Sequence, residues 1–120
     1  STPQRNSILK LRYQTYWSEQ SDDKVHTEWM RELFYAVHAK DGVNGTPYPD
    51  VSSRYEGCYI NYPDVDMIKG QQPNAPKYNW MELYYPGIYK DLIKAKGLWD
   101  PNNIFHHQMS IPLPELPKSD

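Results

Sequence analysis

Residues 8–17, Ile8-Leu9-Lys10-Leu11-Arg12-Tyr13-Gln14-Thr15-Tyr16-Trp17, alternate in polarity with a period of two. Leu9, Leu11, Tyr13, Thr15 and Trp17 share one face, and Lys10, Arg12 and Gln14 share the other. That period, carried by β-formers, predicts a half-buried strand. A strand needs neighbours for its backbone N–H and C=O groups. Only one further stretch reads as a strand, the short run Gly57-Cys58-Tyr59-Ile60-Asn61-Tyr62, stopped by Pro63. Two strands and two helices make a poor independent sheet. The pattern therefore predicts an α+β fold in which residues 8–17 pair with strands outside this chain.

Outward from that strand, Ser18 to Asp23 form a polar turn in which Ser21 or Asp22 can cap a helix. Asp22 and Asp23 suit the first turn of such a helix, where the dipole favours acids. Val25, Trp29, Met30, Leu33, Phe34 and Val37 then recur at helical spacing, and Gly42 is a stop signal, so a helix is expected over 22–40. Residues 41–56 are irregular and rich in Gly, Pro, Asn and Ser; loops of that length are usually functional or lie against another domain. Residues 64–77 read as loop again. Trp80 to Tyr85 read as a short helical turn before Pro86-Gly87. Ile88, Tyr89, Leu92, Ile93 and Ala95 mark a second amphipathic helix, ended by Gly97. Trp99-Asp100-Pro101-Asn102-Asn103 is a turn by composition. The tail from Met109, with Pro112, Pro114 and Pro117, is expected to be extended. The natural division of the chain falls between residues 1–56 and 57–120.

Composition narrows the function classes. Eleven Tyr and four Trp stand against two Phe, so most large side chains carry a polar tip suited to interfaces and clefts. Net charge is −2 with acids and bases interspersed, which lacks the basic stripe of a nucleic-acid binder. No apolar run approaches the ~20 residues that span a bilayer. A single cysteine, Cys58, excludes an internal disulfide framework and any multi-cysteine zinc site. The sequence opens on Ser1-Thr2-Pro3 without a starting Met or signal peptide, as at an interior cut or processed end. Asn44-Gly45-Thr46 is a glycosylation acceptor triplet of a kind that also arises by chance, so secreted and cytoplasmic locations both stay open.

Several residues invite a chemical reading. On a strand, Tyr59 and Asn61 point to the same face, a polar pair placed over a ligand. A tyrosinate at Tyr59 serves as a general base if cations or hydrogen bonds favour it. By spacing alone, Tyr59 and Tyr62 read first as aromatics packed across a sheet. His106 and His107 are adjacent, so in an extended chain they point apart, and no third metal ligand has supporting spacing. Cys58 reads as a nucleophile or a flavin attachment point, or more simply as a small buried filler. Asp64 and Asp66 could hold a cation or simply face solvent. No glycine-rich phosphate loop is present.

Three elements occur in order: Gly57-Cys58-Tyr59-Ile60-Asn61-Tyr62-Pro63-Asp64-Val65-Asp66-Met67, then Trp80-Met81-Glu82-Leu83-Tyr84-Tyr85 leading into a Lys-containing helix, then Trp99-Asp100-Pro101-Asn102-Asn103-Ile104-Phe105 before Ser110-Ile111-Pro112. Together they resemble the C-terminal segment of berberine bridge enzyme-like, FAD-linked oxidases, over roughly residues 57–112. The resemblance implies a two-domain oxidase. This chain would contribute an antiparallel strand and packed helix of the substrate domain, then a C-terminal helical segment returning to the FAD domain. It implies oxidation of a hydroxylated small molecule, a sugar or secondary-metabolite alcohol. Hydride passes to flavin N5, a base takes the proton, and the flavin is reoxidised by O2. Carried over by motif, Tyr59 is the base, and Asn61 and Tyr62 lie by the flavin. The resemblance also implies that the Asp100 turn locks the last helix against the flavin domain, and that Tyr84 and Tyr85 pack. Any covalent attachment of FAD uses residues outside this chain, so Cys58 and His106 do not inherit that role. The partners implied are the remainder of the same enzyme, a small-molecule substrate and O2. A different class remains, an aromatic-rich module that binds carbohydrate or a partner without catalysis.

Overall fold

The computed structural model describes residues 3–51, 53–69 and 79–115. A single 3-10 turn at Gln20–Asp22 opens helix α1, Asp23–His38. It is followed by the one-turn helix α2, Asp66–Lys69, the short α3, Trp80–Tyr84, and α4, Tyr89–Trp99. Among the described residues there is no strand, only an isolated bridge between Val43 and Thr46 that closes a tight turn. The strand expected at 8–17 has no ladder here: no backbone group of that stretch bonds to another described residue. The short strand expected at 57–62 is instead a turn at its far end, where the Tyr62 N–H donates to the Tyr59 carbonyl at 3.0 Å.

The apolar face of α1 is only in part the one expected. His38 is buried and Met30, Leu33 and Phe34 are half-buried, whereas Val25, Trp29 and Val37 stay exposed. The expected Met30, Leu33 and Phe34 do face inward, but His26 and His38 join them where Val25, Trp29 and Val37 were expected. What faces them is the N-terminal stretch. Tyr13 packs edge-on against Phe34 at 5.9 Å and against His38 at 6.0 Å, and Trp17 stacks flat on His26 at 4.9 Å. The Trp17 indole N–H donates to Asp23 at the helix start, at 2.6 Å. Burial in this aromatic nest pushes the His38 ring below its ordinary value, although its bond to the Phe34 carbonyl opposes the shift.

The core lies further along the chain. Leu83, Tyr84, Met109 and Met67 are buried together, with Cys58, Ile60, Trp80 and Tyr85 packed against them. α3 is capped by Asn79, whose side chain accepts from the Met81 N–H. It delivers Leu83 and Tyr84 to the centre. α4 runs two residues beyond the glycine read as its stop. Gly97 instead marks a close approach: a Cβ there would sit 2.7 Å from Pro114 of the C-terminal stretch. The expected loop at 64–77 contains α2, and residues 70–77 of it lie outside the described residues, as does Pro117.

The Asp100 turn closes on itself. Asp100 is buried, and its carboxylate accepts from the Ile104 N–H at 2.7 Å, the Phe105 N–H at 3.0 Å and the Lys96 ammonium. Lys96 also donates to the Phe105 carbonyl at 2.6 Å. The Lys96 contact, joined by the two backbone N–H groups, holds the Asp100 carboxyl below its ordinary range.

Candidate functional site

The site is built on the backbone around Gly57. Its φ of 98° is one that side chains disfavour, and a Cβ there would fall 2.1 Å from the Leu83 carbonyl oxygen. Without that obstruction the Cys58 N–H donates to the same carbonyl at 2.8 Å, fixing the chain against α3. The N-terminal stretch is tied to the same place from the other side. The Gln4 amide donates to the Cys58 carbonyl at 3.0 Å and reaches the Tyr84 carbonyl at 3.4 Å. The Glu56 carboxylate accepts from the Ser7 hydroxyl and backbone N–H, both at 2.6 Å, and from the Asn6 N–H at 3.0 Å. Those bonds, the Ser7 hydroxyl first, hold the Glu56 carboxyl below its ordinary value.

This tether brings Lys10 and Arg12 over the Tyr59 turn. The Lys10 ammonium lies 3.7 Å from the centre of the Tyr59 ring and 4.4 Å from that of Tyr62. The Arg12 guanidinium lies 4.5 Å from the Tyr62 ring centre. The two tyrosines meet edge-on at 5.9 Å. The Asn61 side-chain amide donates to the Tyr59 hydroxyl at 2.7 Å. Tyr59, Asn61 and Tyr62 are therefore one cluster, as the sequence pairs them, although a turn rather than a strand brings them together. Lys10 and Arg12 were missed as site residues. Their shared strand face was visible in the alternation, but what that face looks at depends on a tether some fifty residues along the chain.

All five residues line one open cleft of about 1680 Å³, shared with Tyr13, Met30, Phe34, Cys58 and Asp64. That exceeds the roughly 300–1,000 Å³ of a closed small-molecule site, as expected of a groove with one wall missing. The Tyr13 hydroxyl, shielded in this cleft, has no hydrogen-bond partner among the described residues. Burial, first, and then the neighbouring Tyr55 and Cys58 raise its pKa above the ordinary phenol value.

The other chemical candidates are absorbed by structure. The Cys58 thiol is pushed up to about 12 by burial and by the nearby Asp64, so it stays protonated and is a poor nucleophile. Asp66 is gripped by Arg31 of α1 through two N–H groups, one of them at 3.0 Å. Asp64 accepts from the Asp66 N–H at 2.9 Å, and burial raises its carboxyl. The His106 ring bonds to the Asn103 carbonyl at 2.9 Å, and His107 accepts from the Met109 N–H at 3.1 Å. Among the described residues no three ligand-type side chains converge as a metal site.

Residues 58–112 match the family model described as berberine and berberine like. Hexose oxidase of Chondrus crispus is 44% identical over 116 residues, which are 94% of this chain and 21% of that protein. The aclacinomycin-N/aclacinomycin-A oxidase of Streptomyces galilaeus is 39% identical over 111 residues, covering 92% of this chain and 19% of its own length. Among solved structures, a glycopeptide hexose oxidase complexed with teicoplanin superimposes with a TM-score of 0.69 at 38% identity, over 82% of this chain and 19% of that one. The chain thus spans about a fifth of the length of the relatives it matches.

Proposed function

We propose, from the premise that this chain carries the berberine-like C-terminal segment of an FAD-linked oxidase, that Tyr59 is the proton acceptor in the oxidation of a hydroxylated small molecule. The observation that carries the reading is the Lys10–Tyr59–Asn61 cluster. A cation over an aromatic face interacts favourably with it, more so when desolvated. Lys10 is placed to offset the negative charge of a phenolate at Tyr59, and the Asn61 amide already donates to that oxygen. A phenolate so supported takes the proton of a substrate hydroxyl as the adjacent C–H bond gives up its hydride.

The donor set fits a flat aromatic cofactor edge. Tyr62 is half exposed, and Asn61 lies beside it with an exposed amide. These two residues are the ones proposed to lie against FAD, which when bound supplies the hydride acceptor and is reoxidised by O2. The phosphates must be held elsewhere, because this chain has no glycine-rich cradle. The substrate class follows the names of the relatives, a hexose or a glycosylated metabolite. Any covalent attachment of FAD would use residues outside this chain.

The same reading assigns the exposed apolar surface. Leu9, Leu11, Leu98, Trp99, Ile104 and Phe105 are all more than half exposed. Such surface on a soluble chain marks an interface. The proposed partner is the remainder of the same enzyme. It adds strands beside residues 8–17 and covers the Asp100 turn.

The experiment is anaerobic mixing of the full-length flavoprotein with hexoses and with a glycopeptide, followed at the flavin absorbance. Bleaching by at least one, reversed by air with peroxide formed, is the expected result. Replacing Lys10 by Met should slow bleaching about tenfold, within the ~0.5–2 kcal/mol range of such contacts. A full-length protein that binds glycans but carries no flavin would favour a binding module instead.

A further inference from the structure

Tyr59, Ile60, Asn61, Tyr62 and Pro63 form a five-residue loop that holds all three proposed site residues. Its two ends are Cys58 and Asp64. Both ends reach the same atom. The Asp64 N–H donates to the Tyr84 hydroxyl at 2.9 Å, and the Cys58 thiol is hydrogen-bonded to the same hydroxyl. Tyr84 is 1% exposed, set in α3 with its ring edge-on to Trp80 at 6.2 Å. Its phenol reaches from the centre of the core to the base of the loop, where Asp64 and Cys58 both meet it.

We propose that Tyr84 is a positioning residue for Tyr59: its buried hydroxyl staples the two ends of the site loop and holds the Tyr59 ring beneath Lys10. The packing of the ring alone does not require an oxygen at this place, since Phe would fill the same volume. A buried hydroxyl that satisfies both of its hydrogen-bonding roles rigidifies what it joins. The Cys58 residue then has a use other than reactivity. Its thiol lies buried against the Tyr84 hydroxyl, while its backbone N–H and C=O are held by Leu83 and Gln4. Every bond that fixes the near end of the loop passes through Gln4, Cys58 or α3.

The inference rests on the reading of Tyr59 as proton acceptor, and the test separates the two. In the full-length oxidase, Tyr84→Phe removes the hydroxyl and keeps the ring. The rate of flavin reduction at saturating substrate should fall about tenfold or more, because small misplacements of a reacting group cost up to ~10²-fold. KM should change less than about twofold and bound flavin should be unchanged, since uniform binding is not what is lost. Met109→Leu is the control, disturbing the same core without touching the staple; it should leave the rate intact. Should Tyr84→Phe fail to accumulate as folded protein, Cys58→Ala removes one end of the staple and is expected to lower the rate several-fold with the same KM. A wild-type rate in the Tyr84→Phe protein overturns the inference, or in Cys58→Ala where that variant stands in for it. So does an equal loss in Met109→Leu. If Tyr59→Phe itself retains full rate, the proton-acceptor reading falls and this inference with it; if Tyr59→Phe is inactive while Tyr84→Phe is not, only the staple falls.

Discussion

Residues 8–17 and the Asp100 turn that follows α4 within residues 96–105 both lie outside any strand pairing, and they satisfy their backbone groups in opposite ways. In 96–105 the Asp100 carboxylate accepts two backbone N–H groups and the Lys96 ammonium, so the turn carries its own partners. In 8–17 no backbone group is bonded to a described residue, and the stretch is held by side chains alone: Tyr13 on α1, Trp17 on His26 and Asp23, and the tether just before it at Ser7. One segment is complete by itself. The other keeps the alternation of a strand and exposes the groups that a strand would pair. A single carboxylate can stand in for a ladder over one turn, but not over ten extended residues.

The comparison can be broken most severely at the joint between the two regions. Gly57→Ala forces a side chain into a positive-φ position and into the Leu83 carbonyl, so we expect a loss of about 1–3 kcal/mol or more, read from denaturant midpoints. Preserved stability would mean that the joint is looser than the geometry states. A smaller loss is expected for Asp100→Ala, which strands two N–H groups and Lys96; the melting temperature should fall. Acid acts more mildly, through His38. Its folded pKa lies below the unfolded value of about 6.5, so the unfolded state binds more protons between the two. The stability it lends is full above pH 6.5 and is lost as pH falls toward the depressed value. Urea midpoints at pH 7.5 and pH 5 would show this drop, and His38→Gln should flatten that part of the profile. The smallest effect is expected for Leu11→Ser or Trp99→Ser in residues 1–120 alone, within about 0.5 kcal/mol because both side chains are exposed. In the full-length protein the same changes should cost about 1.5–3 kcal/mol if these side chains are buried there. Equal effects in both contexts would remove the proposed interface.

Much of the layout was legible in the sequence because it depends on local chemistry. Helical spacing located α1 and α4, and the short turn read at Trp80 to Tyr85 is α3. Turn residues located the bend at Asp100, and the ordered aromatic motifs singled out Tyr59 and Asn61. What was not legible depends on contacts distant in sequence. Lys10 and Arg12 face Tyr59 and Tyr62 only because Glu56 and Gln4 fix the register of the N-terminal stretch. The inward face of α1 was read correctly at Met30, Leu33 and Phe34 but missed His26 and His38, which Tyr13 and Trp17 select. Gly97 was read as a stop because a sequence does not show that Pro114 passes over it. Tyr84 was read as packing, which is true of its ring and silent about its hydroxyl.

The central claim is that Tyr59, under Lys10, accepts the substrate proton. The most direct measurement is the rate of anaerobic flavin reduction in the full-length protein carrying Tyr59→Phe, compared with wild type at saturating substrate. Removal of a positioned general base predicts a loss of about 10²–10⁴-fold with bound flavin and melting temperature unchanged. A rate within about twofold of wild type would contradict the claim and return Tyr59 to the packing residues.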